Sequence, residues 1–513
     1  MKNMMRKTVL IISFFNFVMA AAQEASYRYY DATQLWRTTG NAAGLSIDSV
    51  QNRGYAAFTL SHHDGSYRRV QEGGQRNALN FDTERYQTIG KYFVGYGRFA
   101  FDIDRTKDRA WADVYRPYDA TPYFAGSDVA GKYDQQSFAF TGALGTVALG
   151  HLRLGLRLDY QAGDLSRLRD PRSRSELLDY RLTPSVTYTL GRHTLGLAPY
   201  YDRRKEKIPN MTTVQNDPNL GYYEMRGLEQ VNGSVGAYKG FSRQWVDHRL
   251  GGQLSWGYRG EGLAGLTTIG LDRGSEEALE DELRMPGKYV DYRYTIESRH
   301  RIGDGRLLHE VDLQMGFEEA YGNEYAQQRV QTTDATTGVS SYHYETLIAY
   351  DKRYQMHRMD GSLSYRMNMT EQQQVTAYVG LSGQVSSAHQ KQLLPTSTFD
   401  RNRFAVVAEG GKALLDRRLW VDLRAGYHFT GTGDDDLQLA DPTSVYATQV
   451  LLPDMAWYTA NYWQGRVELK YEMPVSFGQT RSLCYVKAYG DYLHTQHSHL
   501  TGRTVGISIG IFN

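Results

Sequence analysis

A single cysteine, Cys484, occurs in 513 residues, so no internal disulfide and no thiolate metal site can form. Proline is scarce at 12. Past the first twenty residues no stretch stays apolar for the roughly 18 residues that a membrane-crossing helix requires. Lys+Arg at 58 and Asp+Glu at 57 leave a net charge of +1. That balance provides no electrostatic footprint for nucleic acid and no charged tail. Neither a His-Glu-x-x-His pair nor a Gly-x-x-x-x-Gly-Lys-Ser/Thr phosphate loop occurs, so no cofactor and no catalytic residue is expected.

The amino terminus has the pattern of a cleaved export signal. Lys2, Arg6 and Lys7 precede an apolar stretch over 9–18, followed by Ala20-Ala21-Ala22. The prediction is removal of residues 1–22 and passage out of the cytoplasm. Glycine (51) and tyrosine (40, against 18 Phe and 7 Trp) are abundant. Tyrosine suits half-buried strands and membrane interfaces. A mean hydropathy of −0.56 fits either a soluble chain or a barrel whose strands alternate apolar and polar residues. Periodicity separates the two.

Long segments alternate with a period of two. In 151–160, Leu152, Leu154, Leu156, Leu158 and Tyr160 oppose Arg153, Gly155, Arg157 and Asp159. Residues 310–318, 419–429 and 466–473 alternate likewise, as do 93–104, 249–258 and 375–385. The lengths match the roughly 9–11 residues of a tilted membrane strand rather than the five or six of a soluble one. Tight turns are predicted near 149–150, 191–192, 244–247, 303–305, 370–371 and 416–418. Long polar loops are predicted at 105–131, 163–176, 205–225, 261–286, 321–342, 390–402 and 431–452. Short turns at one rim and long loops at the other are the outer-membrane pattern. The expected fold is all-β: a transmembrane antiparallel barrel of about 18 strands over residues 53–513, with 14 or 16 as alternatives. Val505, Ile507, Ile509 and Ile511 form one face of the closing strand, which ends at Phe512.

Residues 23–52 lack strand periodicity. Asn41-Ala42-Ala43-Gly44-Leu45 is similar to the Asn-Pro-Ala-Gly-Leu hatch motif of the long-chain fatty-acid transporter class, with Ala42 in place of Pro. The likeness implies a segment that enters the barrel; a periplasmic tail is the other reading. Tyr67-Arg68-Arg69-Val70-Gln71-Glu72-Gly73, 81–86, 96–99, 111–115 and Pro117-Tyr118 resemble an uncharacterised family of outer-membrane β-barrel proteins from Bacteroidota. That resemblance implies location and fold, and brings no catalytic residues.

His494, His497 and His499, spaced H-x-x-H-x-H, are a candidate metal site, weighed against a solvated loop. His62-His63 and the acidic tip Asp434-Asp435-Asp436 are weaker candidates. Arg167, Arg169, Arg172, Arg174, Arg203, Arg204 and Lys205 either bind lipid A phosphates or keep the loops soluble. Arg98, Asp102, Arg153, Arg157, Asp159, Arg249, Glu310, Asp312, Arg424 and Lys487 are expected to line the lumen and to pair across neighbouring strands. The expected partners are outer-membrane lipid, lipopolysaccharide and the barrel-assembly machinery, with a surface lipoprotein or a TonB-dependent receptor as candidates. The expected function is non-enzymatic: a solute channel or an accessory to uptake. The alternatives are a plugged docking scaffold and a rim hydrolase.

Overall fold

The computed structural model describes residues 24–48, 52–118, 121–214, 220–235, 241–280, 284–303, 305–431, 436–477 and 480–512. The predicted signal peptide, Asp434 and Asp435 lie outside them. Eighteen antiparallel strands follow one another around a wall that closes on itself. The last strand, Thr501–Phe512, pairs with the first, Arg53–Gly65, from Tyr55 opposite Phe512 to Gly65 opposite Gly502. Closure leaves no wall edge with unpaired backbone, which is the condition for a sheet in lipid.

The outward positions are apolar and bare. Leu250 is 67% exposed, Leu254 63% and Ile509 59%. Burying one such side chain is worth about 1.5–3 kcal/mol. A belt of them left in water would cancel a folding stability of about 5–15 kcal/mol. The belt therefore faces lipid, and the wall spans a membrane. Among the described residues, no helix is long and apolar enough to do so.

Connections at one rim are short: 191–192, 261–262 and 372–373 join their strands directly. Gly191 and Gly262 have φ of 59° and 64°, the left-handed backbone that a two-residue hairpin turn demands. At the opposite rim the described residues 110–118, 121–130, 209–214, 220–235 and 436–461 belong to long connections between wall strands. Several expectations fail here. Residues 244–247 are not a turn but lie within Arg243–Gly260, and 261–286 is not one loop but contains the strand Leu263–Glu280. Residues 321–342 also belong largely to a hairpin of two very long strands, Leu307–Thr333 and Ser340–Glu371. The cause is shared: above the lipid both strand faces meet water or the loops, so the alternation that marks a strand disappears there.

The amino-terminal segment lies against inward-facing residues near the short-turn rim. Helix Glu24–Thr33 places Ala25 against Val375, Tyr378 and Trp420, and Tyr27 against Tyr55, Tyr485 and Phe512. Arg28 reaches Asp422 at 2.9 Å and sits over Trp420. Farther along, Ala43 N donates to Ser185 Oγ (3.1 Å) and Ser46 Oγ to the Thr146 carbonyl (2.7 Å). Asp48 folds the segment back, accepting from Trp36 N (2.9 Å) and pairing with Arg259 (2.6 Å). Of the hatch-motif residues, Asn41 Nδ2 donates to the Val186 carbonyl, Gly44 packs under the Trp36 ring, and Leu45 joins Tyr86 and Val94. The segment is thus a hatch inside the barrel, not a tail hanging from it.

Candidate functional site

At the outer rim the long loops fold inward as a lid. Trp111, Phe124, Met225, Leu228, Tyr446 and Val450 pack on inward wall residues Trp245, Tyr289, Tyr354 and Phe399. Polar anchors fix them. The buried Glu229 carboxylate accepts from Asp441 N (2.6 Å), Ala440 N (3.0 Å) and Ser397 Oγ. Gln392 Oε1 accepts from Leu228 N (2.7 Å) and Glu229 N (2.9 Å). Buried loop backbone must find partners, and here side chains of the wall (Gln392) and of the loops themselves (Glu229) supply them.

One strand, Gln374–Gln392, records the layering. Val375 and Tyr378 meet the hatch, Gln384, Ser386 and Gln390 line an open space, and Gln392 holds the lid. Beneath the lid, within the wall, lies a chamber of about 800 Å³. Its wall side carries Arg358, Asp360, Arg401, Arg403, His428 and Tyr462; its lid side carries Tyr118, Asp454, Trp457 and Tyr458. Such a volume falls in the range of small-molecule pockets, about 300–1,000 Å³.

Asp454, in the lid helix Leu452–Tyr458, is buried and accepts from Val70 N at 3.0 Å. Burial pushes its carboxyl up to about 6, against a smaller opposing pull from that N–H and Arg69. The docked pKa is raised above the free value, so docking is favoured fully below about 4 and loses that support as pH rises through about 6. Between pH 7.5 and 4 the lid should gain on the order of 3 kcal/mol of docking free energy. Hydrogen exchange over 441–458, corrected for intrinsic rates, should slow on acidification. Asp454→Asn should hold it slow at pH 7.5; an unchanged profile in that variant would refute the assignment.

The expected lumen residues all face inward, and most are paired. Arg98 bridges Asp82 (2.6 Å), Arg157 bridges Asp159 (2.8 Å) and Lys487 lies 3.6 Å from Glu468. Arg249 pairs with Asp272 and Asp291, and Arg301 with Glu310 and Asp312. Asp102 accepts from Asn80 and Arg153 donates to Thr189 Oγ1. Arg424 stands opposite Glu409 in the register. In the closing strand, Val505, Ile507 and Ile509 face outward, whereas the Phe512 ring is buried beside Tyr27 at 4.8 Å.

Other candidates are corrected. His494, His497 and His499 do not form a ligand set: no group of three His, Cys, Asp or Glu among the described residues could hold a metal. His62 bonds Asn77 and His63 bonds Thr504 instead. Arg167 does not reach lipid; it is buried near Asp113 and donates to Tyr133 Oη at 3.0 Å. Arg204 likewise turns inward to Glu206. Arg172 and Arg174 pair with Asp170 and Asp164. Gly506-Ile507-Ser508-Ile509-Gly510 spells Gly-x-Ser-x-Gly, but Ser508 sits buried in mid-strand, bonded to Thr59. It lacks the strand–turn–helix elbow that exposes a nucleophile.

The chamber residues Arg401 and Arg403 escaped sequence reasoning. Phe399, Arg401, Arg403 and Ala405 share one strand face, and that parity was the available signal.

A profile of the family of unknown function DUF6850 matches residues 42–513. The chain belongs to that family. No curated protein matches it. Among solved structures, this DUF6850 chain is similar to the FrpB iron transporter of Neisseria meningitidis in its apoprotein form: TM-score 0.41, 9% identity, 93% of this chain and 83% of that one. The outer membrane transporter YddB of Escherichia coli gives 0.41 at 9% identity, covering 91% and 81%. The outer membrane protein opdK of Pseudomonas aeruginosa gives 0.35 at 10%, covering 90% and 99%. At such distances the likeness carries no function across.

Proposed function

We propose that this protein is an outer-membrane barrel that takes up a small solute through the chamber beneath its lid, without chemistry on the solute. The observation that carries the reading is the chamber itself, about 800 Å³ with charged and aromatic side chains turned into it. A barrel serving only as a docking scaffold has no use for such a space, and apolar filling would stabilise it more.

The test is access. In a Cys484→Ser background, a cysteine replacing Ser386 in the chamber should react in intact cells with a small membrane-impermeant thiol reagent. It should react more slowly than one replacing Val339, which is 65% exposed at the tip of the long hairpin. No reaction at 386 would favour the sealed scaffold. Reaction as fast as at 339 would indicate an open channel.

A further inference from the structure

We propose that the chamber binds an anionic solute carrying a ring with an apolar face, with Arg401 and Arg403 gripping the anion and Trp457, Tyr458 and Tyr462 beside the ring. The inference rests on the uptake reading above and names its substrate class.

The carrying observation is that Arg401 and Arg403, unlike most lumen-facing arginines of this barrel, stand without a carboxylate partner; Arg153 and Arg424 also have none among the described residues, but neither lines the chamber. Arg98, Arg157, Arg181, Arg249, Arg301 and Arg366 all face the lumen, and each has a carboxylate partner. Among the described residues, no carboxylate lies within ion-pair reach of Arg401 or Arg403. Among the described residues Arg401 Nε is buried with no hydrogen-bond partner, and Arg403 donates to a neutral group, Tyr67 Oη, at 3.0 Å. A half-buried guanidinium with no counter-charge is costly unless another group satisfies it. Two such groups on alternate positions of one strand face, Arg401 and Arg403, present two forks suited to carboxylate, sulfate or phosphate.

The rings complete the site. The Arg401 guanidinium lies 4.4 Å over Tyr458 and the Arg403 guanidinium 4.4 Å over Trp457. Tyr462 stacks on His428 at 4.3 Å. These contacts hold the forks rigid; Trp457 already has Tyr67 stacked on it at 5.3 Å and Tyr462 is buried, so an aromatic system or the C–H face of a sugar would meet only the ring surface left facing the chamber. Trp457 and Tyr458 belong to the lid helix, so solute bound between them and the wall would also hold the lid shut.

Calorimetry on the full mature protein in detergent tests this with two acids, trigalacturonate and naphthalene-2,6-dicarboxylate, each beside its uncharged methyl ester. At least one acid should bind at least tenfold tighter than its ester. Arg401→Gln/Arg403→Gln should lose at least tenfold of that affinity while keeping wild-type heat-modifiable gel mobility. Preference for the uronate would assign a sugar acid, and preference for the naphthalene acid a conjugated ring. If neither acid outbinds its ester, or the double variant binds like wild type, the proposal is overturned. Thiol labelling at position 386 separates the two failures: labelling without binding rejects only the solute class, whereas no labelling rejects the uptake reading.

Discussion

Replacing Gly155 with valine should expel the hatch while leaving the wall intact. A Cβ at Gly155 would lie 2.1 Å from Ala43 N and 2.5 Å from Ala42 C, both backbone atoms that cannot swing aside. Its cross-strand neighbour Gly145 would bring a Cβ within 2.3 Å of the Ala42 carbonyl oxygen. The pair forms a bare floor on which the turn Ala42–Ser46 rests, and a side chain there acts as a wedge. Valine is itself a better strand residue than glycine, so the wall should not suffer. Displacing the turn breaks the Ala43–Ser185 bond and loosens the bond of Asn41 to Val186. The measurement is trypsin cleavage after Arg28 and Arg37, whose side chains are 23% and 11% exposed in the docked state. If undocking becomes easier by about 3 kcal/mol, cleavage should accelerate roughly a hundredfold. Removal of residues 24–48 gives the reference for complete opening in bilayer current recordings. Unchanged protease resistance in a folded Gly155→Val protein would mean that the hatch does not rest on this floor.

That floor shows what was legible in the sequence and what was not. Asn41, Gly44 and Leu45 marked the segment as a hatch by likeness, but nothing along the chain says that Gly145 and Gly155 stand opposite one another beneath Ala42. Only strand pairing reveals it. The barrel was legible wherever a strand crosses lipid, because lipid on one side and lumen on the other impose the period of two. It was illegible where that asymmetry ends: Glu276, Glu277 and Glu280 read as loop but occupy a strand. Arg401 and Arg98 occupy equivalent inward positions in the pattern. What separates them is the presence of Asp82 beside one and, among the described residues, the absence of a carboxylate within ion-pair reach of the other, a fact of space rather than of order.

The paired charges make the complementary prediction, on stability. Arg249→Met should destabilise the barrel by about 3–5 kcal/mol, the usual cost of breaking a buried pair by removing one partner. The Arg249 side chain is 7% exposed and its contact Asp291 3%, 2.7 Å away; Asp272 is also bound and Asp247 lies 3.6 Å off. Removing the cation leaves buried carboxylates with too few partners. Arg293, 3.0 Å from Asp291, offsets part of the loss and sets the expectation at the lower end. Arg98→Met should cost no more than about 1 kcal/mol, since its pair with Asp82 is half exposed on the arginine side. Urea-dependent refolding into lipid vesicles measures both. Equal costs would mean that lumen water screens the two sites alike. Neutralising Asp272 and Asp291 together with Arg249 should recover most of the loss, because the cost belongs to the stranded acids rather than to the missing cation. The same logic runs in reverse at Arg401: no acid depends on it, so its neutralisation should leave stability unchanged and remove only affinity for an anion.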